Sequence, residues 1–520
     1  MSYHRASRGL MWVGLAVASA MLASCGGRSS LPAGPSGVET LGREVPHVQR
    51  QSGSFVPSAN QWLMTDGTIL VQDGNNANAW YSYAPDALGK YDDGTWTQVA
   101  SMPSGYAPFA GASQVLADGR LLYSGGEYNN GNFALTNLGA IYDPVTNAWT
   151  ALGHPSGWGW IGDSPSTMLP NNLFLIGDKL HKWDAVYDPK SAKWTHVGDA
   201  GKADFNAEEG WTLLSDGTVL TIDVKNDPDS EIYTPATGQW KTAGKTPVIL
   251  ASHWNSSGCL RYGPKAKDCY YPPGEIGPAI LRPDGSVFAT GSGQAGSGQG
   301  TGHTAIYYST GAKAGTWKAG PDFPNNDNAG DSYGLLEPSG NVMVFGDNGG
   351  VYEFNGKTFT QLSGVADCPP TLLPTGQVAL FCSGSVQIYT PTGKPQASWA
   401  PTIKSYPSTL TPGKTYKITG TQFNGLSQAI ALGDEEQTAT NYPLVRITNA
   451  ASGHVVYART HDHSTMGVAT GKKLVWTFFD VPASIGSGSS KLQVVANGIA
   501  SKPVSVTIKA PRATTARPMR

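Results

Sequence analysis

Tyr142-Asp143-Pro144-Val145-Thr146-Asn147-Ala148-Trp149 decides the reading of this chain, because it recurs. The same Tyr, six residues, Trp spacing returns as Tyr187 to Trp194 and Tyr233 to Trp240, and once more as Tyr352 to Phe359. The first three copies open Tyr-Asp-Pro, Tyr-Asp-Pro and Tyr-Thr-Pro, a turn signature between two strands. The expectation is a hairpin whose two aromatics pack on neighbouring sheets. A second motif surrounds the first: an apolar strand, a turn ending in Gly or Asn, and another apolar strand. Its turns end at Gly67, Gly119, Asn172, Gly217, Gly285, Gly340 and Gly376, a mean spacing of about 50 residues.

Each unit therefore supplies one antiparallel blade. A single blade cannot bury both of its faces, so blades close radially into a ring. The repeats predict an all-β chain with a seven-bladed, kelch-type β-propeller over 48–395. After Pro391 the repeat stops. Strand-like runs separated by turns such as Pro412-Gly413 continue at Thr415 to Thr419, Pro443 to Thr448, Val455 to Arg459, Leu474 to Phe479, Leu492 to Val495 and Val504 to Ile508. This pattern predicts an immunoglobulin-like β-sandwich over 396–509 and a frayed tail over 510–520.

The N-terminus reads as an export signal over 1–24. Arg5 and Arg8 precede an apolar run, Leu10 to Leu22, that is short for a membrane span. Leu22-Ala23-Ser24-Cys25 resembles a bacterial lipobox, which implies lipidation at Cys25, and Gly26 behind it implies the outer membrane. The Gly/Ser/Pro-rich stretch that follows reads as a tether within 25–47. The expected protein is exported and lipid-anchored in the cell envelope, touches membrane only through that lipid, and is a monomer. Charged residues are 14% of the chain, and losing Arg5 and Arg8 with the leader takes the formal charge from −2 to −4. With no basic stripe, nucleic acid is not an expected partner. Four Cys remain beyond Cys25 in an oxidising compartment, and the expected pairs are Cys259–Cys269 and Cys368–Cys382.

Blades followed by a sandwich resemble the galactose oxidase and glyoxal oxidase family, over nearly all of the mature chain. Pro443-Leu444-Val445-Arg446 through Thr460-His461 looks like the family's strand, hairpin and Thr-His loop. The resemblance implies that this loop enters the propeller channel and that His461 stands where the family has a copper-binding His. The rest of that centre is replaced. The family's cross-linked Tyr falls at Ala110, its Tyr-His pair at Gly330-Asp331, and its Gln-Arg after the loop at Val468-Ala469. A copper-radical cofactor is not expected.

Nine residues before each turn lie Ser58, Ala110, Asp163, Glu208, Ile276, Asp331 and Asp367, with Glu209 and Glu275 adjacent to two of them. These positions begin the innermost strands, so Asp163, Glu208, Asp331 and Asp367 are expected to converge at one mouth of the channel. His461, Asp462 and His463 are expected at the same mouth. Three readings of this cluster stand. The acids cap strand ends and His461 is a plug; or they hold a divalent metal, with His461 and Asp331 nearest it; or they accept hydrogen bonds from a polyhydroxylated ligand. Trp158 and Trp160 precede Asp163 and suit ring stacking on a sugar, or gap filling between blades. The leading expectation is a protein that binds a glycan or similar polar ligand. The alternative is a carbohydrate-active enzyme, either metal-dependent or a divergent oxidase.

Overall fold

A computed structural model describes residues 47–50, 58–252, 260–262, 268–270, 274–293, 302–330, 332–432 and 437–510. The leader, Cys25, the tether, Asp331, Cys259 and the tail lie outside the described residues, as does the side chain of Cys269. Among the described residues, no helix is long and apolar enough to cross a membrane.

Seven antiparallel sheets follow one another along the chain, six of them with four blade strands in sequence order from the channel outward. Their inner strands are Ser58–Leu63, Ala112–Val115, Ser166–Met168, Thr212–Leu213, Ala279–Leu281, Tyr333–Leu336 and Pro370–Leu372, in blades 1 to 7. In blade 7 the outermost strand comes from the other end of the chain: His47–Arg50 pairs antiparallel with Ser385–Thr390. Blade 1 meets both its neighbours through side chains of its inner strand. Trp62 Nε1 donates to Ser113 Oγ of blade 2 at 3.0 Å, and Gln61 Nε2 donates to the Pro370 carbonyl of blade 7 at 2.8 Å. The ring is thereby closed.

The repeated aromatics are cross-strand pairs. Tyr142 faces Trp149, Tyr187 faces Trp194 and Tyr233 faces Trp240, with centroids 5.1–5.2 Å apart. Blades 1 and 5 hold the same pair as Tyr83–Trp96 and Tyr307–Trp317, across longer connections that hide it from a fixed-spacing reading. Each Trp also reaches the preceding blade. The indole N–H groups of Trp149, Trp194, Trp240 and Trp317 donate to Ala100 O, Gly153 O, Asp184 Oδ2 and Ser230 Oγ, at 2.5–3.0 Å. A large apolar ring thus fills the wedge between blades while its one polar atom is satisfied.

The C-terminal unit is a two-sheet sandwich. One sheet orders Thr402–Ser405, Thr415–Thr421, Val475–Asp480 and Thr460–His461. The other orders Thr409–Leu410, Val504–Ile508, Gly488–Ala496, Leu444–Asn449 and Val455–Ala458. Ile418, Val445, Ile447, Phe479, Leu492 and Val506 fill the space between them. The sandwich docks on the turns that join the inner to the second strands. A Cβ at Gly119, whose φ is +86°, would lie 2.8 Å from Thr65 Oγ1 and 3.0 Å from the Thr460 carbonyl. The repeated turn glycine therefore serves both a left-handed backbone and a close approach.

From this docked face a segment enters the channel. Ile430–Leu432 pairs with Tyr333–Leu336 as an extra strand inside blade 6, and Gln428 Oε1 accepts a hydrogen bond from Thr167 Oγ1 of blade 3 at 3.0 Å. The channel insert is therefore this segment. The loop expected from Arg459 to Ser464 instead stays at the docked face, because its backbone is already committed there. Thr460 N donates to Thr65 O, His463 N donates to Ala117 O, and His461 pairs with Phe478.

Cys368 and Cys382 form a disulfide with a Cα separation of 5.3 Å across blade 7. Closing a loop of this length restricts the unfolded chain. Replacing both cysteines by Ser should cost about 3 kcal/mol, read as a lower denaturant midpoint. An unchanged midpoint would remove the bridge from the account of ring closure.

Blade 6 holds a second stability device at its turn end. Glu337 is buried, its Oε2 accepts from Ser339 Oγ at 3.2 Å, and its carboxyl meets that of Glu353 on the same sheet. Burial, with the repulsion of Glu353 added, holds the Glu337 carboxyl well above the usual carboxylate range. A raised folded-state pKa means that stability is fully present below the ordinary Glu range and is lost as pH rises through the higher folded value. Glu337→Gln should therefore flatten the decline of melting temperature between weakly acidic and alkaline pH. Parallel wild-type and variant curves would contradict this assignment.

Candidate functional site

Inner strands run from the open mouth of the channel towards the docked sandwich, so the residues that precede them stand at the mouth. Asp163 precedes the inner strand of blade 3 and Glu208 that of blade 4. Lys179, on the loop after the second strand of blade 3, lies between them. Its Nζ contacts the Asp163 carboxylate and lies 2.6 Å from Glu208 Oε1. All three residues are buried. Glu208 holds a φ of 60° and Ala110 a φ of 52°, so two of the seven mouth positions carry non-glycine residues in the left-handed region. Such strain persists only where surrounding structure imposes it. Asp163 Oδ1 has no protein partner. Burial pushes the Asp163 carboxyl well above the usual range; Lys179 opposes the shift, while Glu127 and Glu208 add to it. One ammonium thus stands between two buried carboxyl groups, of which Asp163 is suited to holding a proton.

Glu209 turns away from the mouth. Lys202 Nζ lies 2.8 Å from both Glu209 oxygens and from Glu231 Oε2, and 4.9 Å from the centre of the Trp240 ring. Burial alone would lower the Lys202 pKa, but Glu209 and Glu231 outweigh it and raise it. Burial raises Asp223 beside them to about 7. Glu209, Asp223 and Glu231 could offer three oxygens to an ion, but the ammonium of Lys202 already sits among them. This cluster ties the inner strands of blade 4 to the loop over them.

The structure separates the other expected site residues. Asp367 stays at the mouth end, half-buried before the inner strand of blade 7. Trp160 is half-buried, three residues before Asp163. Trp158 is not at a ligand surface: it is 1% exposed in the core of blades 1 to 3, since its ring fills the wedge there. Neither His461 nor His463 reaches the mouth. His461 Nδ1 lies 2.8 Å from Asp462 Oδ2, and its Nε2 3.3 Å from Asp480 Oδ1, on the sandwich. His463 is buried with Nδ1 2.9 Å from Thr477 Oγ1, and burial, with the His461 charge, pushes its pKa down to about 3. Asp331 lies outside the described residues, and the inner strand of blade 6 begins at Tyr333. The expected metal pairing of His461 with Asp331 therefore falls outside the described residues.

Lys179 and Glu127 were missed in the sequence. Lys179 lies seven residues after the turn at Asn172, in the loop that follows the returning strand Phe174–Gly177. Lone lysines in a loop ordinarily read as solvated, and only the fold buries this one. Lys179→Met should cost about 3–5 kcal/mol, because it leaves two carboxylates without their counter-charge. Adding Asp163→Asn should recover part of that loss in a double-mutant cycle. Additive losses would mean that the ion bridge does not form.

No family model matches the chain. It is 25% identical over 213 residues to N-acetylneuraminate epimerase of Yersinia enterocolitica, covering 39% of this chain and 50% of that protein. It is 28% identical over 155 residues to the Kelch-like protein terF of Aspergillus terreus, covering 29% and 30%. The chain thus spans half or less of the length of these curated relatives. A fungal alcohol oxidase of the AA5 family, solved with copper, aligns over 89% of this chain and 98% of its own at a TM-score of 0.49 and 13% identity. With seven sheets in a closed ring and repeated cross-strand Tyr–Trp pairs, the chain has a β-propeller fold and is similar over part of its length to kelch-like proteins.

Proposed function

We propose that this is an exported, lipid-anchored surface protein whose propeller mouth binds a glycan. The observation that carries the reading is the Lys179 ammonium held between Asp163 and Glu208 where the inner strands begin. A buried cation between two carboxyl groups fixes the loops that carry them, so the rim above is shaped before any ligand arrives. Trp160, half-buried beside them, offers an apolar ring face. A relative named for N-acetylneuraminate, a sugar acid, supports the ligand class. Cys25 behind its apolar leader supports the anchor.

A second reading is favoured by one feature, the raised Asp163 carboxyl beside Glu208. A carboxyl held above the usual range beside a second carboxyl is an arrangement that general acid–base chemistry on sugars uses. Under this reading the chain is a carbohydrate-active enzyme and Asp163 is the proton carrier.

Glycan arrays probed with the soluble chain test the binding reading. Glu208→Gln and Trp160→Ala should each weaken a positive signal by about tenfold, the size expected for one charge-assisted hydrogen bond or one aromatic contact. Trp158→Ala should act through stability alone. An empty array, or variants that bind as the wild type does, would remove the mouth as a glycan site. Turnover that follows the ionisation of a single group and is lost in Asp163→Asn would favour the enzyme.

A further inference from the structure

We infer that the outer face of the first sandwich sheet is a docking surface for an anionic phospholipid bilayer, met through Leu474, Trp476 and Phe478 with Lys417, Lys472 and Lys473 around them; this deepens the surface-anchored reading above. Side chains alternate along Val475–Asp480. Val475, Thr477 and Phe479 are buried, the first and last of them between the two sheets, so Leu474, Trp476 and Phe478 point outward. Leu474 is 58% exposed and Trp476 39%. Lys417 is the cross-strand partner of Phe478, and its Nζ lies 4.3 Å from the centre of the Trp476 ring. Lys472 and Lys473 are exposed in the turn before the strand, where Lys473 N donates to Thr470 O at 3.1 Å. Ser464 fixes the Trp476 backbone: Trp476 N donates to Ser464 Oγ and Trp476 O accepts from Ser464 N, each at 2.9 Å. Asp480, the acid on this strand, is paired with Arg459 and His461.

Charge selects the occupant. Residues 396–509 hold ten Lys and Arg against five Asp and Glu, whereas 48–395 hold 19 against 31. The basic unit of an otherwise acidic protein therefore carries this exposed face, and 510–520 adds three Arg and no acid. Leu and Trp side chains among Lys suit the bilayer interface: the apolar groups enter the headgroup boundary while the Lys stems reach the lipid phosphates. The direction of the chain agrees. His47 pairs with Thr390, and Tyr389 next to it pairs with Val378, two residues beyond the turn at Gly376. That turn faces the sandwich, since a Cβ at Gly376 would lie 3.2 Å from the Gly498 carbonyl. The propeller thus receives its first strand at the sandwich end. Twenty-one residues separate that strand from Cys25, and a flexible linker of such a length spans about 25 Å. A lipid on Cys25 would hold the sandwich end near the bilayer, with the mouth at the other end of the ring.

The test uses the mature chain carrying Cys25→Ser, so that no lipid holds it, and co-sedimentation with vesicles of phosphatidylcholine alone or with about one third phosphatidylglycerol. Binding should require the phosphatidylglycerol and weaken as salt rises. Lys472→Gln and Lys473→Gln should each weaken it by about fivefold, and Trp476→Ala by about tenfold. Lys357→Gln, which removes an exposed cation of blade 6, should leave it unchanged. All four side chains are exposed, so the variants should keep the wild-type melting temperature. No binding, equal binding to both vesicles, or variants that bind as the wild type does would overturn the docking surface. Self-association abolished by the same variants, without vesicle binding, would give the face to a second copy and overturn it too. Lipid on Cys25 is read separately, by mass spectrometry of the membrane-bound protein. A bare Cys25 with vesicle binding intact would overturn the anchor and leave the docking surface standing.

Discussion

The ring closes through four backbone pairs, His47–Arg50 against Ser385–Thr390, and every other feature depends on that closure. Wedge-shaped blades generate a channel only when the last meets the first. Here the last blade is completed by the first strand of the fold, so the two ends of the propeller are one sheet. Among the described residues, no disulfide joins the first blade to the last. It is held by strand pairing, by Gln61 reaching Pro370 and by the Cys368–Cys382 bridge within the same blade. The indole N–H groups that pass from one blade to the preceding one distribute the same function around the circle.

Closure leaves two unlike ends. At the turn end the repeated glycines allow the sandwich to approach closely, and Ile430–Leu432 enters the channel from that side. At the mouth end the inner strands begin, the backbone is strained at Ala110 and Glu208, and buried charge accumulates. A buried carboxylate must find a counter-charge or keep its proton. Blade 3 answers with Lys179, and blade 4 with Lys202. The first cation bridges two blades at the opening; the second locks one blade internally. Similar chemistry thus produces a candidate site in one place and a structural clamp in the other, because of where each loop lies.

The resemblance to the oxidases illustrates how local sequence misleads about depth. Thr460-His461 looks like the family's channel loop, yet its backbone is consumed by the sandwich sheet and by the blade turns. The strand that does enter, Ile430–Leu432, is short and apolar, and carries no metal-ligand residue type that would mark it in a sequence. Paired with an inner strand of the propeller, it extends a sheet, which a one-dimensional reading cannot detect.

The sequence by itself determined the repeat, the all-β class and the positions that start each inner strand, because those properties follow from local turn chemistry and a two-residue alternation. Asp163 and Glu208 were legible for that reason, as was the pairing of Cys368 with Cys382. It also marked the Tyr–Trp pair wherever the connecting turn kept a constant length. Tertiary structure alone decided which aromatics are core and which are rim, since Trp158 and Trp160 are two residues apart and differ only in the wedge that one of them fills. It alone brought Lys179 between two acids from different blades and put His461 at the opposite end from them. Charge pairing and burial act through space, between residues that chain order leaves far apart, so no spacing in the sequence records them.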